Sequence, residues 1–199
     1  VFITFEGGEG AGKTTLIEAV FAEFKKRGKD VLLTRAPGGT KVGALIRECL
    51  LSQEKLSSRT ELFLFLADRA DHTEQVIRPA LAQKKIVLCD RFNDSTLAYQ
   101  AGARGFDSAF VLNLCHFATQ NLNPDLTLYL DADPHIALAR LKRSKDRIEQ
   151  EELSFHQKLR AAYLEIAKKE PKRVHILNAE KPPQDVYQEA AALLDPYWG

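Results

Sequence analysis

Eight consecutive residues, Gly7-Gly8-Glu9-Gly10-Ala11-Gly12-Lys13-Thr14, follow the pattern G-x-x-x-x-G-K-T. Glycines at this spacing let the backbone curl until successive N–H groups point inward. A helix N-terminus behind the loop adds a positive dipole, so the whole forms a cradle for phosphate oxygens. In that chemistry Lys13 reaches the β- and γ-phosphates of ATP and the Thr14 hydroxyl ligates Mg²⁺, with Thr15 completing the loop. An accidental glycine-rich turn would not need the frame found here. The apolar run Val1–Phe5 precedes the loop and a helix-like stretch from Lys13 to Arg27 follows it. Glu9 is the odd residue: a carboxylate inside a phosphate cradle needs a cation or a hydroxyl for company, or else sits solvated at the loop tip.

Other residues extend this chemistry. Ile86-Val87-Leu88-Cys89-Asp90 is an apolar run ending in aspartate. At a strand end such a carboxylate faces the Mg²⁺ held beside Thr14. Arg91 follows directly, placed to grip a second phosphate bidentately, or else to form a surface ion pair. In Thr34-Arg35-Ala36-Pro37-Gly38-Gly39-Thr40 an arginine precedes a Pro-Gly-Gly turn whose shape is set by fixed and permissive φ angles. Arg35 is a second candidate for an acceptor phosphate, against the alternative of an ordinary β–α turn. Phe65 and Arg69 are four apart on a helix-like run, hence on one face. A ring there can stack on a base and a guanidinium can donate to its carbonyl, although aromatic residues at this spacing are more often core. Arg140-Leu141-Lys142-Arg143-Ser144-Lys145-Asp146-Arg147 holds five cations in eight residues. It is either a solvated face or a closing segment that brings arginine to the charge spread over a transferring phosphoryl group.

The elements that must position these groups are legible as short apolar runs alternating with longer amphipathic stretches. Strands are predicted at Val1–Phe5, Val31–Thr34, Ile86–Asp90, Leu126–Asp131 and Val174–Leu177. Helices are predicted near Thr14–Lys26, Val42–Leu51, Arg59–Ala82, Ser108–Asn121, Pro134–Arg143, Ser154–Lys168 and Gln184–Leu194. The pattern predicts an α/β fold: a five-stranded parallel sheet with helices on both faces, in one domain over 1–199, with a short lid at about 140–152. In such a sheet ligands bind beyond the carboxyl ends of the strands, which collects the motifs on one rim.

Of the 199 residues 45% are hydrophobic and 28% charged, with a formal net charge of +1. That balance gives no global attraction to nucleic acid or membrane. Cys49, Cys89 and Cys115 are odd in number and lack metal-ligand spacing, which fits idle thiols in a reducing cytoplasm. No signal peptide and no run of about 20 apolar residues is evident. The chain starts at Val1 without any methionine, so an initiating residue is expected before it.

Taken in order, the motifs resemble the thymidylate kinase family. They are Phe5-Glu6-Gly7 leading into the loop, Thr34-Arg35 with Pro37-Gly38-Gly39-Thr40, and Phe65 with Arg69. There follow Asp90-Arg91-Phe92 with Ser95, Ala98-Tyr99-Gln100, Pro124–Asp131 and Asp146-Arg147-Ile148-Glu149. The resemblance spans nearly the whole chain. It implies a P-loop nucleoside monophosphate kinase that transfers the γ-phosphoryl of ATP to dTMP with Mg²⁺, and that forms a homodimer. It further implies that Phe65 stacks on thymine and Arg69 hydrogen-bonds it, and that Arg35 and Arg91 hold the monophosphate. Pro37, Ser95, Thr96 and Gln100 are then dTMP contacts, Tyr99 lies against the sugar 2′ position, and Glu9 lies near the acceptor sugar and metal. Arg140 would lie near adenine, and the catalytic lid arginine would be Arg143, with Arg147 next. One departure is Ala36, where the family commonly has glutamate. The rivals are a P-loop kinase for another nucleotide or for a nucleoside, and a nucleotide-binding regulatory protein. Paired phosphate-gripping arginines count against the nucleoside.

Overall fold

The computed structural model describes residues 1–52, 54–141 and 146–198. Five strands form one parallel sheet: β1 (Phe2–Gly7), β2 (Val31–Arg35), β3 (Ile86–Asp90), β4 (Leu126–Asp131) and β5 (Val174–Asn178), in the order β2-β3-β1-β4-β5. Every residue of β1 is buried because helices cover both faces, which is why these strands read as apolar runs and not as alternating ones. The chain leaves β1 with neighbours that follow it in sequence on either side, so a crevice opens at the carboxyl end of the sheet. Register sharpens that edge: Phe5 and Arg35 both pair with Asp90, and Gly7 pairs with Leu130.

Helix α1 (Lys13–Lys26) starts directly after the glycine loop and buries Leu16, Ile17, Val20 and Phe24 on the sheet. Helix α9 (Pro183–Trp198) packs beside it, with Trp198 4.4 Å from Phe24 between ring centroids. Between β2 and β3 in the chain come α2 (Lys41–Leu51), α3 (Ser58–His72) and α4 (Arg78–Ala82). After β3 come α5 (Asn93–Thr96) and α6 (Ser108–Thr119), and after β4 come α7 (Pro134–Ala139) and α8 (Leu153–Lys169). Tyr163 of α8 stacks on Tyr129 of β4 at 4.8 Å.

Four features differ from those predicted. The single long helix expected over Arg59–Ala82 changes register at Thr73–Ile77, a π-helical turn in which the Arg78 N–H reaches the Thr73 carbonyl. Pro79 has no N–H for the regular ladder, and the wider turn accommodates it. The segment after β3 is helical, not loop: α5 runs into a second π-helical stretch, Leu97–Ala103. Helix α9 extends to Trp198 although Pro196 lies inside it. Helix α7 ends at Ala139 with Arg140 at its cap, short of the Arg143 expected.

Candidate functional site

The glycine loop is shaped for an anion. Gly10 has φ +72°, and a Cβ there would lie 2.0 Å from the Ala137 carbonyl oxygen, so no other residue fits. Gly12 caps α1 at φ +88° with no side-chain cap and no acid in the first turn, while Lys25 and Lys26 occupy the last. The helix thus leaves its first N–H groups and its positive end to whatever enters the loop. Buried Lys13 donates to the carbonyls of Gly7 at 3.0 Å and Gly8 at 2.8 Å. Burial, then the nearby Arg91, push its ammonium downward.

Arg91 ties the loop to β3. Its backbone is left-handed, φ +70°, which turns the side chain back over the loop. Nη1 donates to the Gly7 carbonyl at 2.9 Å and Nη2 to Glu9 Oε1 at 2.5 Å. The Tyr99 hydroxyl donates to the same Glu9 oxygen at 2.6 Å. Burial alone would raise the Glu9 carboxyl, but Arg91 and Lys13 outweigh it and hold it at about 2. Behind Arg91 stands Glu6, fully buried at the end of β1. It accepts from the Phe92 N–H at 2.6 Å, from Ser95 Oγ at 2.5 Å and from the Tyr163 hydroxyl at 3.0 Å. Burial, then Asp94, push its carboxyl up to about 7. The Ser95 hydroxyl therefore points at Glu6, although the residue borders the cavity described next.

Two cavities meet at Arg91. One is lined by Glu9, Pro37, Phe65, Arg69, Ser95, Thr96, Tyr99 and Gln100, which brings together nearly the whole set predicted for dTMP. Arg69 is 1% exposed. Its Nη2 donates to the Phe92 carbonyl at 3.0 Å, its Nη1 lies 3.5 Å from Asp68, and its Nε and Nη1 have no hydrogen-bond acceptor. Gln100 Oε1 is likewise buried without a partner. Unpaired polar atoms of this kind are costly inside a protein and call for a ligand. The other cavity holds Lys13, Thr14, Arg35, Asp90 and Arg91, with Gly10, Gly12 and Arg140 at its border. Asp90 Oδ1 is buried there without a donor. Among the described residues Arg35 is exposed and has no ion-pair partner. A third cavity, along Gly10, Ala11, Gly12, Thr15, Arg140 and Tyr187, continues outward from the loop. Arg140 Nη1 donates to the Ala179 carbonyl at 2.9 Å there.

The turn carrying Arg35 is stapled to α3. Asp68 Oδ1 accepts the Gly38 N–H at 2.9 Å, Thr40 donates to Asp71 at 2.5 Å, and Thr34 shares a 2.7 Å bond with His72. Buried Ala36 lies in the phosphate-side cavity.

Arg147 takes a different place from the one expected of a lid cation. Its Nη2 donates to Glu61 at 2.7 Å and to the Leu50 carbonyl at 3.1 Å, and it borders none of these cavities. A buried carboxylate and a main-chain carbonyl hold it there. Arg143 lies outside the described residues.

Arg47 was missed. It borders both the Phe65 and the Asp90 cavities and donates to the Pro37 carbonyl at 3.1 Å. Burial, then Arg35, lower its guanidinium. A signal existed: buried Gly43 and Leu50 mark the inward stripe of α2, and Arg47 is the cation between them at helical spacing. Glu6 and Glu61, both buried, were also overlooked as site builders.

A sequence model described as thymidylate kinase matches residues 5–190. A thymidylate kinase of Magnetococcus marinus is 50% identical over 190 residues, covering 93% of this chain and 90% of its own. One of Protochlamydia amoebophila is 43% identical over 209 residues, covering 99% and 93%. The crystal structure of thymidylate kinase from Ehrlichia chaffeensis superimposes with a TM-score of 0.82 at 34% identity, covering 98% of each chain.

Proposed function

This chain belongs to the thymidylate kinase family, and from that premise we propose how its residues divide the work of the family reaction. That reaction moves the γ-phosphoryl group of ATP to dTMP, giving dTDP and ADP in dTTP synthesis. The loop Gly7–Thr14 with Thr15 holds the ATP phosphates, and the outward cavity beside Arg140 takes the adenosine. The Phe65 cavity takes dTMP with its phosphate toward Arg35 and Arg91. One observation carries this reading: the cavity bordered by Arg69, with orphaned donors, and Gln100, with an orphaned acceptor, abuts the phosphate cradle at Arg91.

The base edge fits those orphans. Thymine offers a carbonyl acceptor where cytosine offers an amino donor. Arg69 can only donate, and the Gln100 oxygen can only accept, so a keto pyrimidine with its ring N–H satisfies both. Phe65 provides the stacking face. Tyr99 and Glu9, already bonded to each other, border the sugar.

Transfer is in line and needs no phospho-enzyme, because the acceptor oxygen is already anionic. The protein's task is alignment and neutralisation of two anions. Lys13, Arg35 and Arg91 do this, with Arg47 adjoining. A lid over about 140–152 closes the site against water, and its Arg143 supplies a further cation. Mg²⁺ fits the orphaned oxygen of Asp90 beside Thr14. Among the described residues no group of three or more His, Cys, Asp or Glu side chains could hold it alone. Asp90 and the Thr14 hydroxyl would hold it, and it would supply charge neutralisation at the phosphates.

A coupled assay of ADP release over a panel of monophosphates tests the proposal. Release should depend on dTMP; release indifferent to added dTMP would end it.

The chain works as a homodimer in this reading. Leu45 on α2 and Phe117 on α6 are 68% and 87% exposed, Phe63 on α3 is exposed between them, and α3 packs on both helices. A patch of this kind on a single copy is unusual, and a second copy covers it. Sedimentation of Leu45→Glu should show a monomer where the parent shows a dimer; an unchanged profile rejects this face. No helix among the described residues is long and apolar enough to cross a membrane. Three free thiols suit a cytoplasmic workplace.

A further inference from the structure

Glu61 lies one turn before Phe65 and two before Arg69 on the inward stripe of α3, and is 1% exposed. Four donors converge on its carboxylate. Gln100 Nε2 reaches Oε1 at 2.9 Å, and Arg104 Nε reaches the same oxygen at 3.1 Å. Arg104 Nη2 reaches Oε2 at 3.2 Å and Arg147 Nη2 reaches it at 2.7 Å.

Arg104 and Arg147 donate to both oxygens of this carboxylate, so each oxygen acts as an acceptor. The Gln100 side chain therefore has one allowed orientation: its NH₂ faces Glu61. Its carbonyl oxygen is then turned the other way, buried and unpartnered, at the cavity that Phe65 and Arg69 line. An amide left to itself could present either end to a ligand. This one is fixed.

We propose that Glu61 is the positioning residue for base selection: by orienting the Gln100 amide it makes the cavity accept a pyrimidine with a ring N–H and reject one whose ring nitrogen is itself an acceptor. This rests on the Phe65 cavity being the acceptor-base site.

The isosteric Glu61→Gln substitution tests it. Arg104 and Arg147 would hold the new amide oxygen, turning its NH₂ toward Gln100. Gln100 must then flip, and its own NH₂ faces the base. The ratio of kcat/KM for dTMP to that for dCMP should fall about 10–100-fold, because a hydrogen bond to the wrong partner is lost on one substrate and gained on the other. The ratio is taken within one preparation, so partial unfolding does not move it, whereas a merely structural role would lower both substrates alike. The double variant Glu61→Gln/Gln100→Glu restores an acceptor to the cavity and should recover preference for dTMP. It decides the matter alone if the single variant does not fold, and no recovery overturns the proposal. An unchanged ratio in Glu61→Gln also overturns it. A parent enzyme that turns over dCMP as well as dTMP would instead sink the base-site reading on which it rests.

Discussion

Arg35→Ala isolates acceptor-phosphate binding more cleanly than any other substitution in the site. Arg35 ends β2 beside Asp90, borders the phosphate cavity, is exposed, and has no ion-pair partner among the described residues. Its removal breaks no internal bond, so stability should change by less than about 0.5 kcal/mol, or about 2 °C in Tm for a chain of this size. A hydrogen bond to a charged group contributes about 1.5–3 kcal/mol. Losing the Arg35 grip should therefore lower kcat/KM for dTMP about 10–150-fold. Arg47 is the natural understudy: Arg35 repels it now and would cease to do so, which favours the lower end of the range. The double variant with Arg47→Ala should then fall by more than the product of the single losses. Steady-state ADP release with either substrate varied, alongside thermal denaturation, reads all of this. A dTMP loss below threefold, or an equal rise in the ATP KM, would refute the reasoning. Arg91→Ala would be a poorer probe, since it also strips Glu9 of its ion-pair partner and the Gly7 carbonyl of one of its donors.

Phe65→Ala should raise the dTMP KM about 5–150-fold, the range of one base–aromatic stack. The ATP KM should stay put; parallel rises would make Phe65 ordinary core. Asp90→Asn should weaken the apparent Mg²⁺ affinity about 10–100-fold, and a superimposable Mg²⁺ titration would remove Asp90 from the metal's surroundings. Glu6 gives a pH signature. Its carboxyl is raised from 4.5 to about 7, so the fold prefers it protonated. As pH rises through that window the native state must ionise a buried acid, and stability falls by up to about 3 kcal/mol, then levels off. Glu6→Gln should abolish that fall. Urea denaturation at pH 5 and pH 8 checks it, and an equal fall in parent and variant would exclude Glu6 as its source.

The loop and the sheet were readable because their signals are local. Gly7, Gly12 and Lys13 are fixed by spacing, and the strands by short apolar runs. The site's support was not readable because its bonds are distant in sequence. Glu6 meets Phe92 and Tyr163, 86 and 157 residues away, and a buried acid looks like any other until its partners are known. Tyr99 and Gln100 were found, but not the π-helical stretch that carries them, since a change of ladder register leaves no mark on composition. The cation-rich run after Arg140 shows the opposite limit. Eight residues predict many charges and cannot say that Arg147 turns inward to Glu61.

The carboxylate of Glu9 on Arg91 has one more effect. An acid held near 2 is charged at every working pH, so Arg91 always has somewhere to return. In the function proposed above, each arriving phosphate competes with a resident anion, and each departing one is replaced by it. Such a cation clings less than a bare one would. It favours quick exchange of cargo over tenacity, which suits a catalyst that must let go of what it has made.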